Sequence, residues 1–116
     1  FIATENNKKD INFKNLKENM KIIKKFKKES KERFQIIPIP MPKPKFIDGI
    51  RLPASYLNFY IANKVVLVPC FNDQKDKIIL KIFRKHFKNR KVMPIDSSIL
   101  VWGLGTIHCL TQQEPL

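Results

Sequence analysis

The sequence predicts an α/β fold assembled from short strands and two amphipathic helices. Two windows, 10–33 and 72–87, carry apolar residues at the three-to-four spacing of a helix with one buried face. Between and after them lie short β-rich runs bounded by Pro, Gly or Asn, among them "FQIIPI", "KVVLVP" and "KVMPI". The second half also loosely repeats the first. A helix ends in Phe34 or Phe87, a short strand follows, then a connection, then a strand entered from a small residue, so that "ASYLNFYI" and "GTIHCLT" occupy equivalent places. Such a repeat signals copies of one supersecondary unit, and one copy cannot bury both of its faces.

Taken in order, Asp10–Arg33 reads as the first helix. Phe13, Leu16, Met20, Ile23 and Phe26 form its apolar stripe, with Lys17, Lys21, Lys24, Lys25 and Lys28 outside. Asp10 or Asn12 suits the N-cap, and lysines crowd the C-terminal half, where the helix dipole favours cations. Phe34–Ile39 reads as a short strand. The stretch "PIPMPKPKFIDGIRLPAS" holds five of the eight prolines. Proline fixes φ and lacks the amide donor, so this stretch is expected to be neither helix nor central strand. An ordered, polyproline-like loop and an interdomain linker both fit it.

"YLNFYIAN" and "KVVLVP" then read as two strands of a hairpin turning at Asn63–Lys64, since Asn tolerates positive φ. "NDQKDKIILKIFRKHF" is the second helix, capped by Asn72 or Asp73, with Ile79, Ile82, Phe83 and Phe87 inward. Lys91–Ile95 is a strand, "DSSILVWG" a turn or single helical turn, and "TIHCLT" the last strand.

The 116 residues suffice for one small domain with a limited core. No apolar run approaches the roughly 20 residues of a membrane helix, so a soluble protein without membrane contact is expected. The opening "FIATENNKKD" resembles neither a signal peptide nor a transit sequence, and with Phe1 in first place the chain is expected to be part of a longer protein. Net charge is +13, which makes an anionic partner such as nucleic acid a first hypothesis. The distribution argues against it. Thirteen basic residues fall in Phe1–Ile50 and ten in Arg51–Leu116, mostly lysines on helix faces, where a solvated surface is the simpler account. Nucleic acid is therefore not the expected partner. Two cysteines, Cys70 and Cys109, make no disulfide framework, and no Cys/His spacing suits a metal. A reduced, cytoplasmic protein with neither metal nor cofactor is expected.

Cys109 stands in "GLGTIHCLTQQEP", and its company is unusual for a buried structural thiol. Gly103 and Gly105 let backbone approach a ligand closely. On a strand, Ile107, Cys109 and Thr111 face one side and Thr106, His108 and Leu110 the other, so His108 is not placed to be the base for Cys109. His108 reads instead as a partly buried histidine bonded to backbone. A catalytic thiol then needs activation from elsewhere in the fold. Asn58, on the strand equivalent to that of Cys109, either reaches the substrate or makes structural hydrogen bonds. Cys70 reads as core, and Trp102 as packing or a pocket wall.

"RLPASYLNFYIAN", "VVLVPCFND" and above all "GTIHCLTQQEP" resemble the C-terminal part of agmatine deiminase, within the guanidine-modifying, peptidyl-arginine deiminase-like superfamily. The resemblance runs from about Ile36 to Pro115, most of this chain but only the final third or so of a family member. It implies a pentein fold, a five-bladed pseudosymmetric α/β propeller of ββαβ-type units, of which residues 1–116 would supply about two as the C-terminal segment of one catalytic domain. It implies hydrolysis of agmatine to N-carbamoylputrescine and ammonia, a step towards putrescine and the polyamines, with Cys109 as nucleophile. Gly103 and Gly105, through their backbone groups, are carried over from the motif as substrate-binding candidates, and Asn58 joins them from its place on the equivalent strand.

The family often reads Gly-Gly-Gly-Asn where this chain has Gly103-Leu104-Gly105-Thr106. Its acid/base histidine and guanidinium-binding carboxylates belong to upstream segments that match nothing here. Asp48, Asp73, Asp76 and Asp96 read as cap and turn residues instead. The expected partners are therefore the upstream part of the same protein or a companion chain, a small guanidine substrate, and a second copy in a homo-oligomer. Two other functions fit the sequence: a basic nucleic-acid-binding module, resting on the lysine-rich helix, and a homologue that binds without catalysing.

Overall fold

The computed structural model describes residues 1–114, which divide into two compact units, Phe1–Met41 and a second from Pro42 onward. The boundary falls inside the proline-rich stretch.

In the first unit, β1 (Ile2–Thr4) pairs in parallel with β2 (Pro38–Pro40), in the register Ile2 to Pro38 and Thr4 to Pro40. Two prolines thus sit in a strand that the sequence placed earlier, at Phe34–Ile39. The ladder tolerates them because its outer rungs come from the odd-numbered residues. Ile2 N–H donates to Ile37 O at 2.9 Å, and Met41 N–H donates to Thr4 O at 2.9 Å. Pro38 and Pro40 fall on the alternate positions, where a missing N–H costs nothing, while Ile39 between them is buried.

Between these strands α1 runs over Phe13–Glu29, shorter at both ends than the expected 10–33. Asp10 supplies the start without being the cap: its Oδ1 accepts from Asn12 N–H at 2.8 Å and its carbonyl from Phe13 N–H at 3.0 Å. Ser30 leaves helical geometry at ψ 146° and ends the helix. None of the helix's residues is buried, and Phe26 is exposed.

The second unit opens with a hairpin, β3 (Phe46–Ile47) and β4 (Ile50–Arg51), joined by Asp48 and Gly49 at φ 48° and 76°. Positive φ at both central residues is the tight hairpin geometry that Asp-Gly favours. A three-stranded sheet follows. β5 (Tyr60–Ile61) runs antiparallel to β6 (Val65–Cys70), and β6 runs parallel to β7 (Lys91–Asp96). The crossover between the parallel strands is α2 (Asp76–His86), so β5, β6, α2 and β7 make one ββαβ unit. β5 is much shorter than the strand read from "YLNFYIAN". Pro69 is tolerated in the central strand because β5 pairs only with Val66 and Leu67, leaving Pro69 a single neighbour, Ile95.

The core lies between this sheet and α2. Val66, Val68, Ile79, Phe83 and Phe71 are fully buried, and Phe59 meets Phe83 edge-on with centroids 4.9 Å apart. Each such side chain contributes roughly 1.5–3 kcal/mol by leaving water. Ile82 and Phe87 are only half-buried, on the margin of the expected stripe.

Asp76, in the first turn of α2, holds the segment before β5. Its carboxylate accepts from the Phe71 and Asp73 backbone N–H groups at 3.2 and 3.0 Å, and from the Tyr56 hydroxyl at 2.6 Å. Asp76 and Asp73 therefore act together at a start the sequence assigned to Asn72 or Asp73 alone. Burial, then the bond to Asp76, pushes the buried Tyr56 hydroxyl far above the ordinary tyrosine range, so it stays a donor. Tyr56→Phe removes a hydrogen bond to a charged acceptor and is expected to cost about 1.5–3 kcal/mol in denaturant unfolding.

Asp73 predicts an acid transition. Burial works to raise its carboxyl, but the backbone N–H groups of Lys43 and Lys75, at 2.7 and 2.8 Å, outweigh it, and it titrates below its usual range. A carboxyl lowered on folding adds stability that is complete above the ordinary value of about 4 and is lost as pH falls through the lower folded value. Thermal melts of the wild type should fall across that window more steeply than those of Asp73→Asn.

Candidate active site

The site is built where the segment ahead of β5 meets the segment after β7. The ladder between β6 and β7 ends with Ser97 N–H donating to Cys70 O at 2.8 Å, and beyond it Val101 is fully buried in the 3₁₀ turn Leu100–Gly103. Leu104 then takes a left-handed conformation, φ 61° and ψ 21°, with its N–H on Val101 O at 3.1 Å. A non-glycine residue there is strained, which gives a physical reason for the glycine the resemblance places at this position. Gly105, Thr106 and Ile107 are buried, and a second 3₁₀ turn, His108–Leu110, presents an exposed Cys109.

This corrects the expected last strand. Thr106–Thr111 is a turn, so the alternation that put Cys109 and His108 on opposite faces does not apply. His108 is exposed rather than partly buried, and with Ser55, Leu57 and Asn58 it lines an open hollow of about 290 Å³. Asn58 is likewise outside any strand, so the two segments are not equivalent strands of a repeat.

Asn58 is the residue that joins them. Its Nδ2 donates to Cys109 Sγ at 2.9 Å, and its Oδ1 accepts from Cys109 N–H at 3.2 Å. Its backbone carbonyl accepts from His108 N–H at 3.2 Å and from the Thr106 hydroxyl at 3.4 Å. Ser55 shapes the approach, its carbonyl accepting from Asn58 N–H and its Oγ from Leu57 N–H, both at 3.2 Å. Tyr56, tied to Asp76, anchors the same turn two residues before Asn58.

The two glycines differ. A Cβ on Gly105 would lie 2.7 Å from Cys109 Cβ and 3.0 Å from Sγ, so only glycine lets the thiol sit there. At Gly103 a Cβ would meet nothing within 4 Å, and neither close approach nor positive φ calls for glycine. Trp102 is exposed. Cys70 is buried at the end of β6. Burial, then the charges of Asp76 and Asp96, pushes its thiol up to about 11, the behaviour of a core cysteine. The other aspartates make local bonds. Asp48 turns the hairpin, and exposed Asp96 accepts from Ser98 N–H at 2.9 Å, which with the Ser98 side chain holds its carboxyl below the usual range.

Among the described residues no three His, Cys, Asp or Glu side chains gather as a metal site, and no helix is long and apolar enough to cross a membrane. The proline that ends the motif, Pro115, lies outside the described residues.

A family model, the Porphyromonas-type peptidyl-arginine deiminase, matches residues 1–115. The chain belongs to this family. Proteins named as deiminases resemble it in sequence and fold. A protein of Legionella pneumophila strain Paris, provisionally named an agmatine deiminase, is 34% identical over 109 residues, covering 93% of this chain and 32% of its own length. One of Lactococcus lactis with the same provisional name is 39% identical over 85 residues, 73% of this chain and 23% of that one. Among solved structures, the agmatine deiminase of C. jejuni superposes with a TM-score of 0.83 at 28% identity, covering 92% of this chain and 32% of that one. A provisionally named arginine deiminase of Porphyromonas gingivalis reaches 0.91 at 30% identity, covering 97% and 33%. The α/β fold is that of the deiminase family, and the chain spans about a quarter to a third of the length of these relatives.

Proposed function

We propose that the chain is the nucleophile-bearing C-terminal segment of an agmatine deiminase, with Cys109 attacking the guanidinium carbon. The observation that carries this reading is the exposed Cys109 thiol, held by Asn58 and admitted by Gly105, within the segment that most resembles the family.

A guanidinium carbon is a poor electrophile because its charge is delocalised, so water alone attacks it slowly. The Cys109 thiolate adds to that carbon, forming a C–S bond and moving an electron pair onto nitrogen. The bond to the terminal nitrogen breaks, and with a proton delivered to it that nitrogen leaves as ammonia. The amidino-thioether left on Cys109 is attacked by water. The C–S bond then breaks, the thiolate returns, and agmatine has become N-carbamoylputrescine, a step towards putrescine. A histidine to move the protons and carboxylates to grip the planar guanidinium in paired bonds come from residues outside this chain. Those carboxylates also supply the negative charge that a dication needs against a segment of net charge +13.

The test is turnover by the full-length protein, assayed in the absence of added cofactor. Agmatine should yield ammonia and N-carbamoylputrescine in equal amounts. Absence of ammonia from agmatine, arginine and other small guanidines alike would refute the assignment.

A further inference from the structure

We propose that Asn58 is a positioning residue for the nucleophile, fixing the Cys109 turn with its amide oxygen and stabilising the sulfur anion with its amide N–H. The inference rests on the reading of Cys109 as nucleophile and assigns Asn58 a role in that reaction distinct from contact with substrate.

The geometry separates two functions within one side chain. Oδ1 accepts from Cys109 N–H at 3.2 Å and so fixes the backbone of the 3₁₀ turn, while Nδ2 points a donor at Sγ at 2.9 Å. A hydrogen bond to an ionised acceptor is about twice as strong as one between neutral groups, so this donor favours the thiolate, the reactive form. The carbonyl of Asn58 binds His108 N–H and the Thr106 hydroxyl through backbone, and those bonds survive any side-chain replacement. Variants at position 58 therefore change the two side-chain bonds while the remaining contacts hold the turn.

Asn58→Asp is the informative change. It keeps an oxygen for Cys109 N–H but sets an anion, in place of a donor, against Sγ. Asn58→Ala removes both bonds. Each variant of the full-length protein is alkylated with iodoacetamide across a pH series, and labelling of the Cys109 peptide is followed by mass spectrometry. In that reaction the sulfur displaces iodide and forms one C–S bond, so it reads the thiolate without any guanidine. We expect labelling of Cys109 at neutral pH to slow several-fold in Asn58→Ala and by more in Asn58→Asp. We also expect kcat to fall about tenfold or more, with KM within about twofold. A residue whose amide donor does nothing for the sulfur would leave the neutral variant Asn58→Ala with the wild-type labelling rate and kcat, and that result overturns the inference. Full turnover in Cys109→Ser would instead overturn the nucleophile reading, while the labelling profile still decides the role of Asn58.

Discussion

Cys109→Ser in the full-length protein is expected to lower agmatine turnover by more than about a thousandfold, with the fold unchanged. Serine preserves the shape of the side chain and the backbone bond from Cys109 N–H to Asn58 Oδ1, so the 3₁₀ turn should survive. What is lost is the sulfur. A thiol ionises readily near neutral pH and forms a polarisable anion, whereas a hydroxyl without an adjacent base does neither, and Asn58 presents an amide rather than a base. Cys70 provides the control. It is buried at the end of β6, and its replacement should cost stability while leaving turnover per folded molecule intact. Near-normal kcat in Cys109→Ser, or a loss of kcat in well-folded Cys70→Ser equal to that in Cys109→Ser, would sink the mechanism.

Gly105→Ala is expected to lower kcat about a hundredfold through a single methyl group. That methyl would lie 2.7 Å from Cys109 Cβ and 3.0 Å from Sγ. Gly105 is itself buried, and the nearest contact is Cβ, which cannot swing aside as the tip of a long side chain can. Either residue 105 or the Cys109 turn must therefore shift. A displacement of about 1 Å of a reacting group costs on the order of a hundredfold in rate, and overpacking adds about 1–3 kcal/mol of instability. Gly103→Ala, where the added carbon meets open space, should stay within about twofold. Comparing kcat for the two variants tests whether room for the thiol is what position 105 supplies; equal values would contradict it.

Much of the second unit was legible in the sequence. The α2 periodicity, the hairpin at Asn63–Lys64 and the β7 strand follow from local sequence signals, and the structure contains all three, although Asn63 does not take the positive φ on which that turn reading rests. The elements that were not legible depend on partners distant in the chain. β1 is three residues long, and it pairs with a strand bearing two prolines that only its alternate register accommodates. The Asp48–Gly49 hairpin did carry a local signal, the Asp-Gly pair, but it lay within a stretch dominated by proline.

"TIHCLT" alternates like a strand yet pairs with no strand among the described residues. Its backbone bonds instead to Asn58 and within its own 3₁₀ turn. The same substitution of partners hid the role of Asn58. Cys109 could be singled out from its motif, but its bond to a residue 51 positions earlier is a property of the folded chain.

The most direct test of the central claim is to stop the full-length protein during agmatine turnover with acid and identify the modified peptide by mass spectrometry. An adduct on Cys109 with the mass of agmatine less ammonia, absent from Cys70 and lost in Cys109→Ser, is the predicted result. Ammonia release at full rate with Cys109 unmodified at every time point, or the adduct on another residue, would contradict it.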